Sequence, residues 1–185
     1  MDVFFLTGTD EHGLKVEKSA VEQGITPQEI ADINAAEFES VMKLINMSND
    51  DFIRTTQNRH TSQVKTLVKR LIDSGAVYLG EYEGWYDEGQ EEYVTETKAE
   101  ENEFKSPISG KPLVRAKESN YFFKLSAYQQ HLKDYIEKNP NFVRPVARKN
   151  EVLGRLKEGL QDIPISRTNF KWGIPVPEDE QHVIY

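Results

Sequence analysis

The apolar run Val3-Phe4-Phe5-Leu6, which stops abruptly in the polar turn Thr7-Gly8-Thr9-Asp10-Glu11-His12-Gly13, limits most strongly what this chain can fold into. Four consecutive apolar residues, two of them aromatic, predict a strand buried on both faces, as in a parallel sheet covered by helices, with a neighbour on either side. Val16, Ala20 and Val21 then recur at helical spacing, so the unit reads strand, turn, helix, the opening of a βα crossover. In open α/β sheets ligands sit beyond the carboxyl ends of the strands, which is where Thr9, Asp10, Glu11 and His12 fall. Two readings of these polar residues stand side by side. They can bind a ligand, or they can cap the helix, since side-chain oxygens satisfy its first N–H groups and negative charge suits its positive end. Metal binding is disfavoured because adjacent turn residues seldom converge on one ion. Gly8 and Gly13 lack the G-x-G-x-x-G spacing of a dinucleotide loop.

Composition narrows the function classes. The 185 residues carry 31 acidic and 23 basic side chains, a net charge of -8, so no strong overall field draws the chain to nucleic acid. Cysteine is absent, which removes disulfides, thiolate ligands and cysteine nucleophiles together. No signal peptide is evident and no apolar run approaches the ~20 residues that span a bilayer, so a cytoplasmic protein is expected. The chain opens almost directly on an apolar strand and stops inside another, Val183-Ile184-Tyr185, so it is expected to be a piece excised from a larger protein.

Along the chain, Thr26-Pro27-Gln28-Glu29 has the pattern of a capping box, followed by a core-facing stripe of Ile30, Ile33, Val41, Leu44 and Ile45. Phe52-Ile53-Arg54-Thr55-Thr56 reads as a short strand. A helix from Asn58 carries Val64, Leu67, Val68, Leu71 and Ile72, and Gly75 supplies its left-handed end. The period then becomes alternating (Val77, Leu79, Tyr82, Trp85, Tyr86, Tyr93, Val94), which predicts antiparallel strands and a domain boundary near Tyr78. Tyr121 to Leu125 reads as a strand. Ser126 is expected to cap a helix of Tyr128, Leu132, Tyr135 and Ile136 that ends at Asn139-Pro140. A last helix holds Val152, Leu153, Leu156 and Leu160. Near it Arg144, Arg148, Lys149, Arg155 and Lys157 offer either a contact for an RNA backbone or, more commonly, a solvated helix face.

Six motifs in order resemble the methionyl-tRNA synthetases, a family of class I aminoacyl-tRNA synthetases: Phe5-Leu6-Thr7-Gly8-Thr9-Asp10-Glu11-His12-Gly13; Phe52-Ile53-Arg54-Thr55-Thr56 with His60; Gly84-Trp85-Tyr86; Asn120-Tyr121-Phe122-Phe123-Lys124-Leu125-Ser126; Ile165-Ser166-Arg167; and Trp172-Gly173-Ile174-Pro175-Val176-Pro177. The resemblance implies an α/β fold in which a Rossmann-type parallel-sheet catalytic domain is interrupted by an α+β connective-peptide insertion. Residues 1–78 would belong to the catalytic domain, 79–165 to the insertion with a knuckle at about 82–115, and 166–185 to the return. Many members hold zinc in that knuckle through C-x-x-C or C-x-x-H pairs. The matching positions here are Asp87, Gln90, Ser106 and Ser109, so a metal-free knuckle packed around Trp85, Tyr93 and Phe104 is expected.

The same resemblance implies a parent enzyme that joins methionine to ATP, with Mg2+, as an adenylate and transfers it to tRNA(Met). Asp10 matches the ligand of the methionine amino group, Glu11 and His12 shape its turn, and Arg167 is a candidate for an active-site electrostatic role or for orienting an acidic neighbour. The His-Ile-Gly-His and Lys-Met-Ser-Lys-Ser motifs are expected outside these residues, so the piece alone is expected to be inactive. The rival reading is a noncatalytic module that keeps the synthetase scaffold to bind RNA or protein. Flanking signature motifs in the parent gene would favour the enzyme.

Overall fold

The computed structural model describes residues 2–90 and 92–185; Met1, Glu91 and the side chain of Tyr82, which the alternating pattern had included, lie outside the described set. It is a mixed α/β structure. Strand β1 (Leu6–Thr9) leads through the polar turn into α1 (Leu14–Gln23) and α2 (Pro27–Leu44), and the crossover returns as β2 (Asp51–Arg54). β2 lies parallel to β1, with Leu6 opposite Asp51 and Thr9 opposite Arg54. The predicted capping box is present: the Thr26 side chain accepts from the Glu29 N–H at 3.2 Å, and the Glu29 carboxylate accepts from the Thr26 N–H at 2.7 Å. Where β1 and β2 meet, Gly8 has no room for a side chain, because a Cβ there would lie 1.7 Å from the carbonyl oxygen of Ile53.

Two expectations about this unit fail. The strand begins at Leu6 rather than Val3, has β2 as its one hydrogen-bonded neighbour among the described residues, and leaves Val3 and Phe4 76% and 70% exposed. On α2 only Ile30, with Ala31 and Ala35, is buried, whereas Ile33, Val41, Leu44 and Ile45 face outward. Apolar periodicity reports which face wants covering. The small residues Ala31 and Ala35, with Phe38, line a cleft between α2 and the turn.

Helix α3 (Asn58–Asp73) follows β2, and Gly75 takes the left-handed conformation predicted for it, φ 70°. An antiparallel sheet then begins with β3 (Val77–Asp87), β4 (Glu92–Val94), the short α4 (Glu96–Glu101) and β5 (Val114–Phe123). β5 pairs with β3 along ten residues, so this strand starts seven residues before the predicted Tyr121. A 3-10 helix at Leu125–Tyr128 precedes α5 (Gln129–Lys138) and α6 (Val146–Glu158), and β6 (Ile163–Pro164) completes the sheet in the order β4-β3-β5-β6. Ser126 does not cap α5. Its N–H and hydroxyl both donate to Asp162 Oδ1, at 3.1 and 2.5 Å, tying the 3-10 helix to the segment before β6. The chain ends in the hairpin of β7 (Ile174–Val176) and β8 (Asp179–Ile184).

The small core near β4 is Val94, Ala99 and Leu113 with Trp85 packed against it, and Trp85 meets Phe104 at 4.7 Å between ring centroids. Tyr93, also expected there, instead faces Tyr86 at 5.0 Å on the other side of the strand pair.

The close approach at Gly8 has a direct test. Gly8→Ala must force β1 and β2 apart, and is expected to lower stability by at least the ~1–3 kcal/mol typical of an overfilled site. Chemical denaturation of the variant beside the wild type reads this as a lower midpoint; an unchanged midpoint would contradict the packing described.

Candidate functional site

The turn after β1 is organised by a buried acid. Glu11 is 4% exposed, and its carboxylate accepts hydrogen bonds from Thr9 Oγ1 at 2.6 Å, Arg54 Nε at 2.6 Å and the Thr56 hydroxyl. Its N–H donates to Thr55 Oγ1 at 2.9 Å, and its carbonyl accepts from the Trp172 indole N–H at 2.5 Å. Arg54, opposite Thr9 in the parallel register, also reaches Asp32 on α2 at 2.5 Å. One residue thus joins β1, the end of β2, α2 and the loop before β7. Burial alone would raise the Glu11 pKa, but the bonds from Arg54, Thr56 and Thr9 outweigh it and hold the carboxyl below its ordinary value.

With Glu11 turned inward, its neighbour Asp10 faces out. Asp10 is exposed and lines a small cleft of about 90 Å³ with Val16, Ala31 and Phe38. His12 is half-buried against Trp172, ring centroids 5.4 Å apart. Burial lowers its pKa, and nearby His60 adds to this while Asp10 and Glu11 oppose it.

The capping reading of this turn is overturned. The N-cap of α1 is Gly13, with φ 110° and no side-chain cap. The Gly13 N–H donates to the Trp172 carbonyl at 3.0 Å, and Glu17 in the first turn accepts from the N–H groups of Lys171 and Trp172 at 2.8 and 2.9 Å. The start of α1 therefore grips the Lys171-Trp172 loop rather than its own turn.

Arg167 lies elsewhere, in a two-bond bridge with Val183 at the hairpin. It is 5% exposed, and its Nη1 donates to Glu118 of β5 at 3.1 Å. The guanidinium carbon is 4.9, 5.0 and 6.0 Å from the rings of Tyr86, Tyr93 and Tyr185. Burial pulls its pKa down, but the tyrosines and Glu118 prevail and raise it, so the residue is a permanent cation.

The residues expected at the knuckle ligand positions close two turns. Asp87 Oδ1 accepts from the N–H groups of Gly89 and Gln90 at 2.9 and 3.2 Å, and Ser106 Oγ accepts from those of Ile108 and Ser109 at 3.3 and 3.1 Å. Both oxygens serve to close the turns, and Asp87 Oδ2 is buried without a hydrogen bond among the described residues. Among the described residues no group of three or more His, Asp or Glu side chains is arranged to hold a metal. On the basic helix, Arg148 pairs with Glu151 at 2.6 Å and Arg155 with Glu158 at 2.8 Å, so two of its cations are balanced locally. No described helix is long and apolar enough to cross a membrane.

Sequence reasoning named Arg54, Thr56 and Trp172 only within motifs, without a role, and missed Glu118. The available signal was the charged Arg54 closing an apolar strand that was expected to run parallel to one ending in acids.

The family model for class I tRNA synthetases (M) matches residues 1–102 and 97–185. A methionine--tRNA ligase of Rickettsia prowazekii is 51% identical over 184 residues, covering all of this chain and 36% of that protein, and one of Bacillus subtilis is 46% identical, with 29% of its length covered. The chain thus spans about a third of the length of these relatives. A structure of Mycobacterium tuberculosis methionyl-tRNA synthetase in complex with methionyl-adenylate superposes with a TM-score of 0.86 at 39% identity, over all of this chain and 36% of that one.

The lowered pKa of Glu11 fixes the sign of a pH effect. Its stabilising contribution is present above its ordinary value near 4.5 and is lost as pH falls through that value toward the lower one of the folded state. Glu11→Gln is expected to be less stable at neutral pH and to lose less stability between pH 6 and about 3. Denaturation midpoints across that range check this; two parallel profiles would remove Glu11 as an acid-sensitive anchor.

Proposed function

We propose, since the chain belongs to the class I (M) family of tRNA synthetases, that it is part of a methionine–tRNA ligase, which activates methionine with ATP·Mg2+ and transfers it to tRNA(Met) in the cytoplasm. On this reading the β1–β2 unit is part of a Rossmann-type catalytic domain over residues 1–78, residues 79–165 form the connective-peptide insertion with a zinc-free knuckle, and 166–185 return to the catalytic domain. The observation that carries the proposal is the pairing of an exposed carboxylate, Asp10, with a buried one, Glu11, at the carboxyl end of β1.

The division of labour is physical. Glu11, bonded on both oxygens, fixes the turn and is spent on structure. Asp10 stands exposed, where a carboxylate meeting the ammonium of an amino acid forms a charge-assisted hydrogen bond. His12, whose lowered pKa favours the neutral ring, closes the turn against Trp172 without adding a positive charge that would repel that ammonium. To Arg167, a buried cation paired with Glu118, we assign an electrostatic role in the parent's active site, on the resemblance of Ile165-Ser166-Arg167 to the family. ATP is a substrate whose signature loops we assign to the rest of the parent, so these 185 residues alone are proposed not to activate methionine.

In the full-length parent, Asp10→Asn keeps the shape and removes the charge. Methionine affinity is expected to fall about ten- to a hundredfold, the equivalent of roughly 1.5–3 kcal/mol for a charged hydrogen bond. Calorimetric titration with methionine measures it, and an unchanged affinity would end the assignment of Asp10. Methionine-dependent exchange of pyrophosphate into ATP is expected from the parent and not from the isolated chain; exchange by the chain alone would relocate the active site.

A further inference from the structure

Glu118 is, with Glu11 and Asp87, a buried carboxylate among the described residues, and its partners come from separate parts of the chain. Its Oε1 accepts from the Thr168 N–H at 2.6 Å, the Thr168 hydroxyl at 3.0 Å and the Asn169 N–H at 3.2 Å. Its Oε2 accepts from Arg167 Nη1 at 3.1 Å, Asn120 Nδ2 at 3.0 Å and the Tyr93 hydroxyl at 3.3 Å. The side chain projects from β5 in the middle of the antiparallel sheet, yet it binds three consecutive residues, 167–169, about fifty positions along the chain. Burial raises its pKa, but the bonds from Asn120 and Thr168 and the charge of Arg167 lower it further, so the group is ionised where it sits.

The surroundings of Arg167 have the same origin. Tyr86 of β3 and Tyr93 of β4 offer their ring faces at 4.9 and 5.0 Å, the range in which a guanidinium is held by ring electrostatics. Tyr93 has a double part, since its ring meets Arg167 while its hydroxyl donates to Glu118. That contact helps push the Tyr93 pKa up to about 12, after burial as the main cause, so its hydroxyl remains a donor. The strand bridge to Val183 fixes the backbone of Arg167, while the sheet fixes the direction of its head group.

We propose that Glu118 is a positioning residue for Arg167, and that through this pair the antiparallel sheet sets the orientation of a cation that acts in methionine activation. The inference rests on the active-site role of Arg167 given above. Glu118 does not itself touch substrate. It is ionised and bonded on both oxygens, so it cannot rotate without breaking bonds to the 167–169 segment, and a guanidinium bound to it inherits that rigidity. A misplacement of a catalytic group by about 1 Å can cost on the order of a hundredfold in rate. A shift in the sheet would reach Arg167 by this route.

The test is a double-mutant cycle in the full-length parent, read by methionine-dependent pyrophosphate exchange with kcat and KM separated and with melting temperature followed alongside. Glu118→Gln is expected to lower kcat/KM roughly ten- to a hundredfold. In an Arg167→Ala background the same change should cost nothing further, because the group it positions is gone. Glu118→Asp, which keeps the charge with shorter reach, should recover part of the loss and carries the cycle if the Gln variant does not fold. Additive losses, or a lower melting temperature with unchanged kinetics, would overturn the positioning role and leave Arg167 in place. Full activity of Arg167→Ala with Glu118 intact would overturn the assignment of Arg167 itself, and this proposal with it.

Discussion

The ion pair of Glu11 and Arg54 is the constraint on which the amino-terminal half depends. An ionised carboxylate whose side chain is 3% exposed is tolerable only when its lone pairs are met, and breaking such a pair from one side costs about 3–5 kcal/mol. Meeting them here requires β1 and β2 to be parallel and in a register that sets Thr9 beside Arg54, α2 to bring Asp32 to the outer face of the same guanidinium, and Thr56 to follow β2 immediately. The strand pair, the crossover and the turn are thus specified together. Gly8 tightens the arrangement, since the backbone of β2 occupies the space a side chain there would need.

Glu118 repeats the logic in the other half. In both places an inward acid takes donors from chain segments about forty to fifty residues away, Arg54 in one case and Arg167 in the other. The two networks also approach each other. Trp172 donates to the Glu11 carbonyl, and five residues before it Arg167 is bound to Glu118. The 167–172 segment is therefore fixed at one end by the antiparallel sheet and at the other by the turn after β1 and by Glu17.

What the sequence made legible follows from the range of the interaction that decides each feature. The capping box of Thr26 and Glu29 and the left-handed Gly75 were readable because every partner lies within a few residues. Ser126 had equally good capping chemistry but met Asp162, 36 positions away, a competitor that no local pattern discloses. The polar turn itself was marked out by its abrupt change of character, so Asp10, Glu11 and His12 could be named as a group. Which of them turns inward could not, because that depends on Arg54 and Thr56 arriving from the next strand.

Apolar pattern misled in a different way. Val3, Phe4, Val41 and Leu44 have the residue types of core positions and stand exposed, so the sequence states a demand for burial that the described contacts do not meet. The turns at Asp87 and Ser106 show the opposite case, a demand met locally. A turn that presents successive N–H groups to one side-chain atom needs an acceptor there, and Asp87 Oδ1 and Ser106 Oγ each supply it. With those bonds made, both turns are closed by side-chain oxygens. Val94, Ala99 and Leu113 beneath Trp85, with the Trp85–Phe104 contact, add a small apolar core to these locally closed turns.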